Sequence, residues 1–223
     1  MPPLDITSTL PLCSGHAIPI LGLGVFQTPA SLTTDVVTHA VRAGYRHVDS
    51  ATMYGNEGAA ATGLKAARDA AGKPLPRDAL FFTSKVLPQD MSYKRARASV
   101  DETLRKTGLG YVDLYLLHAP YGGRAGRLGA WKALAEAVRE GKVRSIGVSN
   151  YGVHHLEELE EYIKDVEARE GEGKAGVLSV NQVELHPWLA RPDIVSWCKE
   201  RGVVLEVSSK KPLRSAQRLA NHV

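Results

Sequence analysis

The sequence predicts an α/β fold of parallel βα units, read as a (β/α)8 (TIM) barrel, and two observations carry that prediction. Short apolar runs alternate with longer amphipathic stretches, and the polar residues that close the runs recur at nearly constant intervals. The runs are Ile20–Val25, Tyr45–Val48, Leu80–Thr83, Val112–Leu117, Arg144–Val148, Val177–Val180 and Val203–Val207. They are short and rich in β-branched and aliphatic residues, as strands buried on both faces require. Between them lie the helical stretches Thr33–Ala43, Asn56–Ala71, Tyr93–Thr107, Ala130–Glu140, Val153–Arg169 and Pro192–Arg201. Gly44, Gly72, Gly108, Gly141 and Gly202 read as helix stops. Asp49, Lys85, His118, Asn150 and Gln182 stand at the run ends, at intervals of 36, 33, 32 and 32 residues. Each interval fits one βα unit. Parallel strands bring such residues to one face, and the C-terminal face is where barrels carry their sites. A doubly wound sheet would also align its strand ends, but the evenness favours the barrel. Ahead of the first run, Leu10–Pro19 around Ser14-Gly15 reads as a β-hairpin closing the barrel bottom. Glu167–Gly176, polar and Gly-rich, reads as a solvated loop.

Composition bounds the function. The 223 residues are 43% hydrophobic and 23% charged, ordinary for one domain with a real core. The net charge of +4 comes without a dense Lys/Arg run interleaved with aromatics, so no nucleic-acid partner is expected. Two cysteines, Cys13 and Cys198, are too few for a disulfide scaffold and suit reduced thiols in a cytoplasmic protein. The opening residues lack the basic and apolar segments of a signal peptide, and no window approaches a membrane span. A monomer acting on a small molecule is the expectation.

Several residues suggest chemistry. In HVDSATMYGNE, Asp49 at a strand end is followed five residues later by Tyr54, which places both over one opening; a helix cap and a surface tyrosine are the plainer alternative. Lys85 ends LFFTSKV, where its ammonium can point into the barrel mouth or snorkel at the rim. Together the three are sharper. An ammonium beside Tyr54 favours phenolate, Asp49 would hold that ammonium, and Tyr54 becomes a usable general acid. His118 ends VDLYLLHAP and could orient a carbonyl oxygen or be a satisfied core histidine. Ser149, Asn150 and Gln182 offer hydroxyl and amide groups suited to a carboxamide, or could cap loops. Gly22 and Gly24 lie within a strand and open no helix, so a Rossmann fingerprint is absent. GEGKAG lacks the spacing of a phosphate loop, and no Cys/His cluster suggests a metal.

The stretches IPILGLGVFQT, YRHVDSATMYGNE, FFTSKV, YVDLYLLHAP, GKVRSIGVSN and VNQVELHPW resemble the aldo-keto reductase family in order and spacing, from about Ile18 to Leu205. The resemblance implies a (β/α)8 barrel that binds NADPH, or in some members NADH, at the strand C-termini. By position, Tyr54 matches the family's proton donor, Lys85 and Asp49 the pair that tunes it, and His118 the substrate-orienting histidine. Ser149, Asn150 and Gln182 match the residues that hold the nicotinamide carboxamide. Phe26 matches an aromatic lining the substrate pocket. The implied reaction is reduction of an aldehyde or ketone, with small aldehydes and aldoses such as xylose among the options.

After Leu205 the sequence departs from the family pattern. Ser208 stands where the family has a tyrosine that stacks on nicotinamide, and EVSSKKPLRSAQRLANHV has no family counterpart. The expectation is a barrel domain over 1–205 lacking its eighth strand and last helices, followed by a divergent basic tail over 206–223. Lys210, Lys211, Arg214 and Arg218 read as solvated tail residues rather than a replacement phosphate site. Open edges on the first and seventh strands would follow. Besides an active reductase, a catalytically impaired remnant or a regulatory subunit of this fold is therefore open.

Overall fold

Residues 3–68 and 72–208 are described by a computed structural model. Strands β1 (Thr9–Pro11) and β2 (Ala17–Pro19) pair antiparallel around the Ser14-Gly15 turn, giving the expected hairpin. The remaining strands are β3 (Gly22–Gly24), β4 (His47–Asp49), β5 (Phe81–Val86), β6 (Val112–Leu117), β7 (Val143–Ser149), β8 (Leu178–Glu184) and β9 (Val204–Ser208). Each pairs in parallel with the next, so the sheet runs in sequence order. The helices are α1 (Ala30–Arg42), α2 (Glu57–Lys65), α3 (Tyr93–Thr107), α4 (Gly123–Arg139), α5 (Val153–Glu170) and α6 (Pro192–Glu200).

The sheet curls. Gln182 on β8 and Asp49 on β4 stand four strands apart, roughly 19 Å in a flat sheet, yet their side chains are 2.6 Å apart. The alternation of side chains along each strand then makes two cores. Leu114, Leu116, Val180, Phe81 and Val204 face inward and meet Leu12 and Ile18 of the hairpin, which plugs the N-terminal end. Val48, Phe82, Tyr115, Ile146 and Val148 face outward and meet the helices. This is a partial (β/α)8 barrel with seven parallel strands among the described residues.

Local capping explains both ends of α3. Ser92 accepts a hydrogen bond from the Arg95 N–H at the start of α3, and Gly108 closes it in the left-handed region at φ 59°, donating to the Leu104 carbonyl. The predicted bounds of α3 match. Helix α4 begins seven residues before the predicted Ala130, because Gly126 lets its first turn lie against the Met91 carbonyl, where a Cβ would come to 2.5 Å. Helix α2 ends at Lys65, short of the predicted Ala71; a bridge between Arg68 and Pro74 folds the chain back on Ala67, so Gly72 does not stop this helix. The predicted loop Glu167–Gly176 begins later, at Gly171, since α5 continues through the charged residues to Glu170 as a solvated helical face. Strand β9 runs to Ser208, three residues past the predicted domain boundary, with Glu206, Val207 and Ser208 in register with Gln182, Val183 and Glu184. The remainder of the predicted basic tail lies outside the described residues, as do Lys210, Lys211, Arg214 and Arg218.

Buried polar groups lock the layers together. The Glu57 carboxylate accepts from Ser84 Oγ at 2.6 Å and Thr103 Oγ1 at 2.8 Å, joining α2 to β5 and α3. Tyr115 bonds Thr103 and Ser99, and burial pushes its phenol up to about 12. At the N-terminal end, Asp113 pairs with Arg77 at 2.5 Å and Arg144 at 3.6 Å, and both guanidiniums stack on the Tyr111 ring. His47 faces inward, within 2.9 Å of Thr83 Oγ1. Burial pushes its pKa down to about 4; Lys85 adds to this and Asp49 opposes it.

Two outcomes follow from this packing. His47 is held below its unfolded value of about 6.5, so its contribution is fully present above that pH and is lost as pH falls toward about 4. Urea unfolding across this window should show the native chain losing roughly 3 kcal/mol more than a His47→Gln variant; parallel curves would refute it. At Gly147 a Cβ would meet the Val180 carbonyl at 2.4 Å and Leu116 Cδ2 at 2.9 Å. Gly147→Ala should cost about 1–3 kcal/mol by overpacking, measured as a lowered urea midpoint with unchanged slope.

Candidate active site

The site assembles where strands end. Beyond Asp49 the chain crosses Ser50 and Ala51, makes one 3-10 turn over Thr52–Tyr54, and enters α2 after Asn56. Asn56 is buried and fixes the turn: its Oδ1 accepts from Ser50 Oγ at 2.8 Å, and its Nδ2 donates to the carbonyls of Val25 and Thr28 at 2.9 and 3.0 Å. The loop after β3 is thereby tied to the turn after β4, which brings Phe26 against Tyr54 with ring centroids 5.0 Å apart. Thr52 Oγ1 donates to the Lys85 carbonyl and anchors the turn to β5.

Lys85 is wholly buried, at 0% exposure. Its ammonium forms an ion pair with Asp49 Oδ1 and donates to the Ser50 carbonyl at 2.9 Å. The Lys85 Nζ lies 5.3 Å from the centre of the Tyr54 ring. Burial is the largest single influence and works against the charge, but the charge and hydrogen bond of Asp49 together with Tyr54 and Glu206 outweigh it, and the Lys85 pKa lies above its ordinary value. On the other side of Tyr54, the His118 ring stands edge-on at 5.8 Å. The four residues Asp49, Tyr54, Lys85 and His118 are thus brought together as the sequence suggests.

One part of that expectation needs correction. Lys85 does pull the Tyr54 pKa down, but burial of the phenol is the larger influence and Asp49 adds to it, so the net shift is upward. A pattern of residue types carries the sign of a neighbour's charge; it does not carry the degree of burial that decided the balance.

The amide cluster sits beside this group. Ser149 Oγ donates to the Gln182 carbonyl at 2.9 Å. Asn150, at φ 61°, donates its Nδ2 to the His118 carbonyl at 2.9 Å and to Ser149 Oγ at 3.1 Å. Gln182 donates Nε2 to Asp49 Oδ2 at 2.6 Å. The ends of β7 and β8 are therefore wired to the Asp49–Lys85 pair. Hydroxyl, amide N–H and amide carbonyl groups together provide both donors and acceptors, the set that a carboxamide needs.

The sequence pattern does not single out Glu206, Tyr121 or Trp188. Glu206 enters the barrel interior from β9; burial, reinforced by the Asp49 charge, holds its carboxyl up at about 8, while Lys85 and the Gln182 amide pull the other way. Tyr121 and Trp188 are exposed aromatics on the loops after β6 and β8, on the same face as Phe26 and Met53. Their positions just beyond strand runs were the available signal. A cavity of about 440 Å³ lies at the opposite end, between the hairpin and Arg46, Asp113 and Arg144, and touches none of the four residues. Among the described residues no group of three or more His, Cys, Asp or Glu could hold a metal ion, and no helix is long and apolar enough to cross a membrane.

The model of the Aldo/keto reductase family matches residues 20–210. The chain is 38% identical over 222 residues to glyoxal reductase of Bacillus subtilis, spanning 99% of this chain and 73% of that protein. It is 35% identical over 198 residues to morphine 6-dehydrogenase of Pseudomonas putida, spanning 89% and 61%. The crystal structure of an aldo/keto reductase from Brucella melitensis superposes with a TM-score of 0.78 at 33% identity, over 91% of this chain and 72% of that one. The strand-end site, the parallel barrel architecture and these matches agree, and the chain belongs to the aldo/keto reductase family of oxidoreductases.

Proposed function

We infer that the chain reduces aldehydes or ketones with NADPH or NADH as reductant, and that Tyr54 gives the proton to the carbonyl oxygen. The observation that carries this reading is the buried Lys85 ammonium, paired with Asp49 and lying 5.3 Å from the Tyr54 ring centre. When bound, the dinucleotide supplies a hydride; the residues suited to its carboxamide are Ser149, Asn150 and Gln182.

The chain's own residues do the rest. Tyr54 is held above the ordinary tyrosine value, mainly by burial, so it is protonated at neutral pH. As it releases its proton, negative charge forms on the phenolic oxygen. Lys85 stabilises that charge, and Asp49 keeps Lys85 in place. His118 faces Tyr54 and can orient the carbonyl oxygen between them. Phe26, Met53, Tyr121 and Trp188 offer an apolar rim to the opening. Small aldehydes of the glyoxal type fit this reading, with aldoses such as xylose as a further class.

Aldehyde-dependent loss of NADPH absorbance tests the assignment. Tyr54→Phe should lower kcat by about 10²–10⁴ while NADPH still quenches protein fluorescence; a variant within threefold of the native rate, or a native chain without turnover, would overturn it. Lys85→Met should lower kcat similarly and also cost about 3–5 kcal/mol of stability, because Asp49 loses its partner.

A further inference from the structure

Glu206 stands in register with Gln182 on the adjoining strand. Its neighbours in β9 fix its direction: Val204 packs into the inner cluster and Leu205 against the outer core, so Glu206 faces the barrel interior. Glu206 lies on the last described strand and is half-buried as a whole residue, and its Oε2 is buried without a hydrogen-bond partner. The Gln182 amide lies between Glu206 and Asp49, bonding Asp49 Oδ2 at 2.6 Å. The charged and titratable groups that face Glu206 are Asp49 from β4, Lys85 from β5 and Tyr54 from the turn after β4; β8 presents the neutral Gln182. Helix α6, packed on the outer side of β9, brings one buried titratable group, the Cys198 thiol, which burial keeps in its protonated form.

Two carboxyl groups thus bear on one ammonium inside the barrel: Asp49 is paired with Lys85, and Glu206 acts on it through its charge. We propose that Glu206 is a positioning residue of the reductase site, holding a proton during turnover so that Asp49 alone neutralises Lys85. With no donor reaching Oε2, the ionised carboxylate lacks at that oxygen the hydrogen bonds that would hold its charge. When Glu206 ionises, the proton passes to solvent and a second carboxylate draws on Lys85. The ammonium is then less available to the forming phenolate. Beyond burial, Lys85 and Asp49, the Glu206 charge also raises the Tyr54 pKa, so proton delivery weakens. The carboxyl is held up at about 8 by burial and by Asp49, so the change falls near that pH. Reduction is faster below that pH and slower above it.

The proposal rests on the reductase reading, and two measurements separate the two. The first is a carbon-13 titration of native protein labelled at the glutamate carboxyl, with the Glu206 resonance assigned by its absence in Glu206→Gln. The second is the pH profile of aldehyde-dependent kcat for both proteins between pH about 6 and about 10. The expected results are a Glu206 resonance titrating near 8 and a native kcat that drops roughly three- to tenfold through that pH, a step absent from Glu206→Gln. A Glu206 resonance titrating in the ordinary range near 4 to 5, or superimposable profiles, would overturn the proposal. If neither protein turns over, the reductase reading fails, while the native titration still decides where the proton resides.

Discussion

A lysine ammonium with no solvent exposure imposes the central constraint on this molecule. Removed from water and left alone, it would cost several kcal/mol. It sits on β5 with one carboxylate, Asp49, and one carbonyl, Ser50, as its partners. Asp49 in turn accepts from Gln182 on β8, and Gln182 is in register with Glu206 on β9. The satisfaction of one buried charge therefore reaches around the curled sheet. Curling brings these groups within reach, and their pairing makes burial of Lys85 tolerable. The same linkage places Tyr54 above the ammonium, because Asn56 and Thr52 pin its turn to the neighbouring strand ends.

The two ends of the barrel handle buried charge differently. At the N-terminal end one carboxylate, Asp113, meets two guanidiniums and the Phe82 N–H. Positive partners are in excess, and the group serves as a structural clamp beneath the hairpin. At the C-terminal end one ammonium beside a phenol is paired with Asp49 and also feels the charge of a second carboxyl group, Glu206. Cations are scarce there, so a proton has a reason to remain and a reason to move. This imbalance, more than the cavity of about 440 Å³ at the other end, marks where chemistry belongs.

Much of this was legible in the sequence, and the exceptions have physical causes. Helix α3 could be bounded because Ser92 and Gly108 are strong end signals. Helix α4 could not, because its first turn depends on Gly126 lying against Met91, a contact between distant segments. The charged end of α5 looked like a loop because a solvated helical face and a solvated loop share a composition. At the site, Asp49, Lys85 and His118 are readable from strand-end spacing, since parallel strands bring their ends to one face, and Tyr54 from its place five residues after Asp49. The direction of the Tyr54 shift was not readable, because it depends on burial outweighing Lys85. Glu206 falls both in the predicted run Val203–Val207 and at the start of the predicted tail, and its place in the site comes from register with Gln182 rather than from its sequence neighbours.

The proposed chemistry depends on the buried Lys85 ammonium acting on the Tyr54 hydroxyl. The most direct test is an NMR titration of protein labelled with carbon-13 at the tyrosine ζ position, with Tyr54 assigned by its loss in Tyr54→Phe. Tyr54 should titrate above the free value of about 10 and move higher still in Lys85→Met, where burial acts without the ammonium to oppose it. A Tyr54 that titrates at or below the free value, or that does not move when Lys85 is replaced, would contradict it.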